Sequence, residues 1–371
     1  MTFTPFALEE WQSRYEHSVD YNLADSGCHP VALGELLGDD PAAVRQMLET
    51  ELHYPPVGGT DALRALIADW HGAASDNVLV TVGAAEANAI TVSSLVEAGD
   101  HVVVMEPGYR QVRGLALNAG AEVDAFPLDP DNGWRPDLAA LDSVVRRDTK
   151  LIAITNPNNP VGTILTPDEL DAVVAAAARV GAWVLADEVY RGTERLTDEI
   201  TPSLWSRYDK LVCVGSLSKA FGLPGLRLGW LVAPPALVEA AWRRHEYATI
   251  ATSMLSMHLA EIALESKGRL LTRNRGLIRD GYTRLAKWVA ESNGLLSVVP
   301  PEATALAFVR YHLPLTSAEV ADTLRTQAGV LVGAGHHFGV EHHLRITHGL
   351  QPDYLNAALT NITKVLQTYQ A

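Results

Sequence analysis

Five short apolar runs rich in β-branched residues, most of them separated by helical stretches, constrain this chain more than any other feature. They are Asn77–Val82, His101–Glu106, Leu151–Thr155, Trp183–Asp187 and Leu211–Gly215. Each is short enough to be a strand buried on both faces. Helical patterns fall between several of them, at Glu86–Glu97 and Asp168–Val180. The second has a clear start: Thr166 as N-cap, Pro167 at the first helical position and Glu169 at the capping-box position. Strand–helix alternation of this kind predicts an α/β fold with a mostly parallel sheet. After about Arg244 the texture changes to helices at Met254–Leu264 and Arg269–Ser292, strands at Ala305–Arg310 and Leu344–Thr347, and a last helix over Pro352–Tyr369. The expected organisation is a large domain over 48–245 and a smaller α+β domain built from 1–47 and 246–371.

Bulk properties exclude some classes of function. At 371 residues and 47% hydrophobic, the chain has material for a large core. Its net charge of −15 argues against nucleic acid or an anionic membrane as the main partner, but not against a small anion that needs only local positive charge. Two cysteines, Cys28 and Cys213, make no disulfide framework, which fits a reducing cytoplasm. The opening MTFTPFALEEWQ lacks the basic and apolar regions of a signal peptide, and no apolar run reaches the length of a membrane span.

The chemistry concentrates in three segments. Ser216–Leu231, SLSKAFGLPGLRLGWL, sets Lys219 between Ser216 and Ser218, followed by a Gly/Pro turn and Arg227. A lysine nucleophile needs a lowered pKa, from burial or a neighbouring cation. A phosphate needs hydroxyls, backbone N–H groups and a guanidinium able to bind in a fork. Upstream, Asp187 ends an apolar run, where a buried carboxylate is costly without a cationic partner such as a pyridinium N–H. Tyr190 follows three residues later and can offer its hydroxyl to a phenolic oxygen. NPNNPVGT, Asn156–Thr163, forms an irregular loop after another strand, where open α/β sheets bind ligands, and Asn159 can donate to a ring oxygen there.

In this order and spacing the segments resemble the fold-type I enzymes dependent on pyridoxal 5′-phosphate (PLP), the aminotransferase class I/II family, from about Tyr54 onward. The resemblance implies the aspartate aminotransferase-like fold, with a large, mostly parallel mixed sheet and a smaller α+β domain. It implies that Lys219 carries the cofactor as a Schiff base and removes the substrate's α-proton once freed. Asp187 then pairs with the pyridine nitrogen, Asn159 and Tyr190 with the ring oxygen, and Ser216, Ser218 and Arg227 with the phosphate. Ala84 and Ala85, in a turn before a helix, would add backbone donors. Many relatives have a hydroxyl residue in this turn, where the chain has Gly83, Ala84 and Ala85. Tyr109 matches the aromatic that stacks on the ring, and Arg345 the clamp for the substrate carboxylate. Tyr54 matches a residue that reaches the phosphate of a neighbouring subunit, implying a homodimer with shared sites.

The N-terminal segment Tyr21–Leu37 differs from the usual aminotransferase entry. Its Asp25-Ser26-Gly27 and Gly34-Glu35-Leu36 are similar to a segment of the capreomycidine synthase-type cyclases. That similarity implies loss of water from a β-hydroxylated arginine and ring closure by its guanidine, within natural-product biosynthesis. Gly27, Asp25, His29 and Glu35 become candidate substrate contacts, since a guanidinium needs acidic or hydrogen-bonding neighbours. The alternative is an ordinary aminotransferase using a 2-oxo acid acceptor. A PLP-sensing DNA-binding regulator would need a further region ahead of the fold, and the acidic charge opposes it. No metal is expected: His336, His337, His342 and His343 match no zinc spacing and read as a loop at the site's mouth.

Overall fold

The computed structural model describes residues 3–38 and 40–369. The strands, in chain order, are β1 (Tyr21–Asn22), β2 (Val78–Thr81), β3 (His101–Glu106), β4 (Glu122–Asp129), β5 (Arg135–Pro136), β6 (Thr149–Thr155) and β7 (Trp183–Asp187). They continue as β8 (Leu211–Ser216), β9 (Gly229–Val232), β10 (Leu296–Val298), β11 (Leu306–Tyr311), β12 (Val330–Leu331), β13 (Gly333–Ala334) and β14 (His343–Thr347).

Eight strands form one mixed sheet in the order β2-β9-β8-β7-β6-β3-β4-β5. Its centre is parallel, from β8 through β7, β6 and β3 to β4, and antiparallel pairs close both edges. The five apolar runs are therefore β2, β3, β6, β7 and β8, and all but the end residues of β3, β6 and β7 and Lys150 are buried. Helices cover both faces, and two apolar clusters pack on either side of the sheet, one around Ile152, Val184 and Trp230, the other around Leu151, Leu185 and Val212. The helix Pro167–Val180 begins with the expected capping box between Thr166 and Glu169.

Three strands of this sheet stand outside the five apolar runs: β4, the two-residue β5 beside it, and β9. β4 alternates exposed and buried residues near the sheet's edge, so it lacks the solid apolar run of its neighbours. β9 has only four residues and follows directly on the Gly/Pro turn, which hides it within a loop-like stretch.

A second sheet, β10-β11-β14-β13, is antiparallel and packs around its own core, which includes Leu285, Val309, Leu324 and Ile362. The chain's N-terminal part joins it: β1 pairs in parallel with β12. Three helices precede β2 and the helix Asp61–His71, at Ala7–Tyr15, Leu33–Leu37 and Pro41–Glu49. A close crossing links the two sheets' surroundings at Gly162, whose φ is +75° and where a Cβ would lie 2.4 Å from Pro301 Cβ. The carbonyl of Gly162 accepts from the amides of Glu302 and Ala303 at 3.0 and 2.9 Å.

Candidate active site

The parallel registers align Thr155, Asp187 and Val214 across β6, β7 and β8, so three strand ends open on one side. A cavity of about 300 Å³ lies there. It is lined by Ala84, Ala85, Tyr109, Asn159, Asp187, Tyr190, Ser216, Ser218, Lys219 and Arg227. Every cofactor contact expected from the sequence except Tyr54 thus meets in one place. Tyr54 is 83% exposed on the chain's outer surface and lies outside this lining.

At the deep end Asp187 Oδ2 accepts from Asn88 Nδ2 at 3.2 Å and Oδ1 from the Val189 amide at 3.2 Å. Burial nevertheless pushes the carboxyl up to about 6, because these neutral donors replace water only in part. Tyr190 Oη is buried and meets no hydrogen-bond geometry with a partner among the described residues, with Ser26 as a polar neighbour, and burial raises its pKa. Asn159 gives its Oδ1 to Arg345 Nη1 at 3.0 Å, which leaves its amide N–H groups free to donate.

The helix Gly83–Leu95 starts at the cavity and turns its first amides toward it. Gly83 is needed there twice over: its φ is +76°, and a Cβ would stand 2.7 Å from Arg227 Nη2. The helix start, the Arg227 guanidinium and the residues Ser216 and Ser218 all line this cavity, a set of groups suited to an anion, and Lys219 lines it with them. Burial lowers its pKa, Asp25 and Glu9 oppose that shift, and Arg345 and Arg227 add to it. Its Nζ donates to Ser26 Oγ at 2.7 Å and stands 3.9 Å from Asp25 Oδ1.

Arg345, on β14, is 1% exposed. Its guanidinium lies over Phe338, 5.0 Å from the ring centroid, donates to the Ala24 carbonyl, and keeps Nε without a partner among the described residues. A buried guanidinium with donors to spare is suited to a carboxylate.

The N-terminal segment reaches the site only in part. Gly27 packs against the Ser218 carbonyl, and the Val31 amide donates to Gly222 O at 2.9 Å, so the segment lies along the lysine loop. Asp25 folds back on its own turn, accepting from the amides of Ser26 and Gly27. Two of the residues expected at the site lie outside this lining. Glu35 is exposed, and Arg273 Nε holds its carboxylate at 2.6 Å, outside the cavity. His29 serves through its backbone, donating to Gly349 O and accepting from Arg273 Nη1, and its ring is not part of the lining. Both offer the acidic or hydrogen-bonding chemistry a guanidinium needs, but the chain turns away at Pro30 into the helix Leu33–Leu37.

Several contributors were missed. Asn88, one turn into the helix, was masked by its apolar surroundings. Ser26, Gln111, Thr155 and Glu9 also line the cavity. These four histidines divide among separate settings: the rings of His336 and His337 meet tilted, centroids 4.1 Å apart, in the turn Gly335–Phe338, His342 meets Tyr311, and His343 stacks on Phe308.

Among the described residues one group has metal-ligand spacing: His71, Glu188 and Cys213, whose donor atoms lie within 4.8 Å of one another. Its valences are occupied. His71 Nε2 accepts from Trp230 Nε1 at 2.8 Å, and Glu188 accepts from Ser203, the Leu204 amide and Arg191. This buried network fixes the chain directly after Asp187 and so holds the strand end that carries the site.

The residues fit a pyridoxal phosphate: an orphan phenol, a costly buried carboxylate, a lysine with lowered pKa and an anion cradle that a Cβ at Gly83 would fill. Fold and site together define a PLP-dependent enzyme of the aspartate aminotransferase-like fold. The model of the family described as Aminotransferase class I and II matches residues 32–362, and the chain belongs to that family. The capreomycidine synthase of Streptomyces vinaceus is 32% identical over 98% of this chain and 94% of its own length. A PLP-dependent aminotransferase from Streptococcus suis superposes with a TM-score of 0.93 at 30% identity, covering 100% of this chain and 99% of its own. The PLP-dependent cyclase OrfR superposes with a TM-score of 0.89 at 28% identity, also covering 100% and 99%. No helix among the described residues is long and apolar enough to cross a membrane.

Proposed function

We propose that the chain is a cyclase of the capreomycidine synthase type. In this reading it removes one water from a β-hydroxylated arginine and joins a guanidine nitrogen to the β-carbon. The bonds balance: the α-proton leaves and is restored, the β-hydroxyl departs as water, and the attacking nitrogen gives up one proton. The similarity to capreomycidine synthase along nearly the whole chain carries the proposal. The segment Asp25–Gly27, set against Lys219, adds to it.

Bound pyridoxal phosphate supplies an electron sink that makes an α-proton removable. Asp187 would stay ionised against the ring nitrogen, and Asn159 and Tyr190 would donate to the ring oxygen. Ser216, Ser218, Arg227 and the amides of Ala84 and Ala85 would hold the phosphate, with the Tyr109 ring against the cofactor's face. Arg345 would clamp the α-carboxylate. The Lys219 amine, whose pKa burial lowers, would take and return the α-proton. We further propose a homodimer in which Tyr54 completes the partner's site; Leu48, Leu52, Tyr54 and Tyr247 are all large, apolar and exposed in the single chain.

Incubation with 3-hydroxyarginine and no 2-oxo acid should give a product lighter by one water. Conversion that requires 2-oxoglutarate or pyruvate would instead identify an aminotransferase. That second reading is favoured by the Streptococcus suis likeness.

A further inference from the structure

Glu9 lies in the first turn of the helix Ala7–Tyr15, far in sequence from every other residue of the site. Its Oε1 accepts from Tyr109 Oη at 2.8 Å, across a hundred residues of chain. It also lines the same cavity as Lys219 and Asp187. A carboxylate in a helix's first turn has a bland explanation, since it favours the helix dipole. That explanation accounts for neither the bond to Tyr109 nor the place in the lining. The charge of Glu9 also reaches Lys219 and Arg345, where it partly opposes the burial that lowers the pKa of both, as its place in the lining beside Lys219 implies.

The cavity's charged groups can be matched against what it must hold. The lining has two cations, Lys219 and Arg227, and two carboxylates, Asp187 and Glu9, with Arg345 adjoining. In the proposed reading Asp187 meets the ring nitrogen, Arg227 the phosphate, Lys219 the reacting amine and Arg345 the α-carboxylate. Glu9 alone is left without a counterpart. Its one hydrogen bond to a described residue comes from a neutral phenol, so Oε2 and a lone pair on Oε1 remain available. The Tyr109 ring packs on Phe6 with centroids 4.9 Å apart, which fixes the strand-end aromatic to the segment that carries Glu9.

We propose that Glu9 is the anchor for the cationic distal group of the substrate, receiving a guanidinium on the carboxylate edge that Tyr109 leaves open. This deepens the proposed function and rests on its arginine-like substrate class. With the α-carboxylate at Arg345 and the amine at Lys219, a long side chain leaves the deep end toward Tyr109 and Glu9. The carboxylate is a charge complement that a neutral or acidic side chain would leave unpaired, so it selects as well as binds.

The test is titration of the holoenzyme with L-arginine and with L-citrulline, its neutral ureido counterpart, by calorimetry and by the cofactor's absorbance. The wild type should bind arginine about tenfold or more tighter than citrulline, as befits one charge-assisted pair. Glu9→Gln should lose about that factor for arginine and leave citrulline within about twofold, and Glu9→Asp should fall between. Circular dichroism and cofactor content should match the wild type, since position 9 is exposed. If Glu9→Gln keeps the full preference for arginine, the anchor is elsewhere although the substrate class survives. If the wild type shows no preference, the anchor and the arginine-like substrate fall together.

Discussion

The deep end and the mouth of the cavity are built by different means. At the deep end, Thr155, Asp187 and Ser216 are each the last residue of β6, β7 or β8, and hydrogen-bond register sets their spacing. Loops leaving those same strands bring Asn159, Tyr190 and Lys219. At the mouth, Glu9, Asp25 and Ser26 sit on a segment pinned by contacts with distant chain. Trp11 Nε1 donates to Val332 O at 3.0 Å, Arg345 Nη2 to Ala24 O and Thr347 Oγ1 to Asp25 O. A rigid sheet can hold a cofactor common to many enzymes, while a strapped segment can be altered without disturbing the sheet. In the proposed reading, shared chemistry lies on the strands and the choice of substrate on the strap.

Substitutions should separate the two ends by what they abolish. Lys219→Ala should have the largest effect: loss of the bound cofactor's visible absorbance and a fall in turnover of about 10³-fold or more, read by spectrum and product assay. Arg345→Ala should raise KM for an α-amino acid about 100-fold while the cofactor spectrum persists, because a forked pair of charged hydrogen bonds is lost. Preserved substrate affinity in that variant would detach Arg345 from the carboxylate.

Asp187 links the deep end to pH. Its carboxyl is held up at about 6 without a cationic partner, so the ionised form that accepts from a ring N–H is lost as pH falls through that value. Cofactor affinity of the apoprotein should then drop by up to about tenfold per pH unit below 6, and Asp187→Asn should weaken binding and flatten this dependence. Folding stability of the apoprotein should change the opposite way. Protonation favours a group whose folded pKa lies above its unfolded value, so this contribution is lost as pH rises toward 6 and above. Glu35→Ala should have the smallest effect, leaving kcat/KM within about twofold, since its partner Arg273 lies outside the cavity and an exposed ion pair is worth at most about 1 kcal/mol. A large loss would return Glu35 to the mouth.

The same contrast explains what could be read from the sequence. β2, β3, β6, β7 and β8 announced themselves as apolar runs, and the deep-end residues stand within a few positions of those runs. Ser216 to Arg227 even places phosphate and lysine groups in one stretch. The mouth left no such local trace. Glu9 meets Tyr109 and Ser26 meets Lys219 only once two sheets and the β1–β12 pair have formed. Asn88 was hidden for another reason: a single amide in a buried helix looks like a core substitution until the carboxylate it serves is seen beside it. Glu35 shows the converse: it stands near Gly27 along the chain, yet its carboxylate is held by Arg273 away from the cavity lining.

Counting turnovers per active site without a 2-oxo acid tests the proposed activity most directly. The PLP-loaded enzyme is supplied with a large excess of 3-hydroxyarginine, and product is counted against cofactor. A cyclase returns its cofactor unchanged, so many equivalents of dehydrated product per site are expected. Formation that stops at one equivalent per site, and resumes only when a 2-oxo acid is added, would contradict the cyclase and identify an aminotransferase.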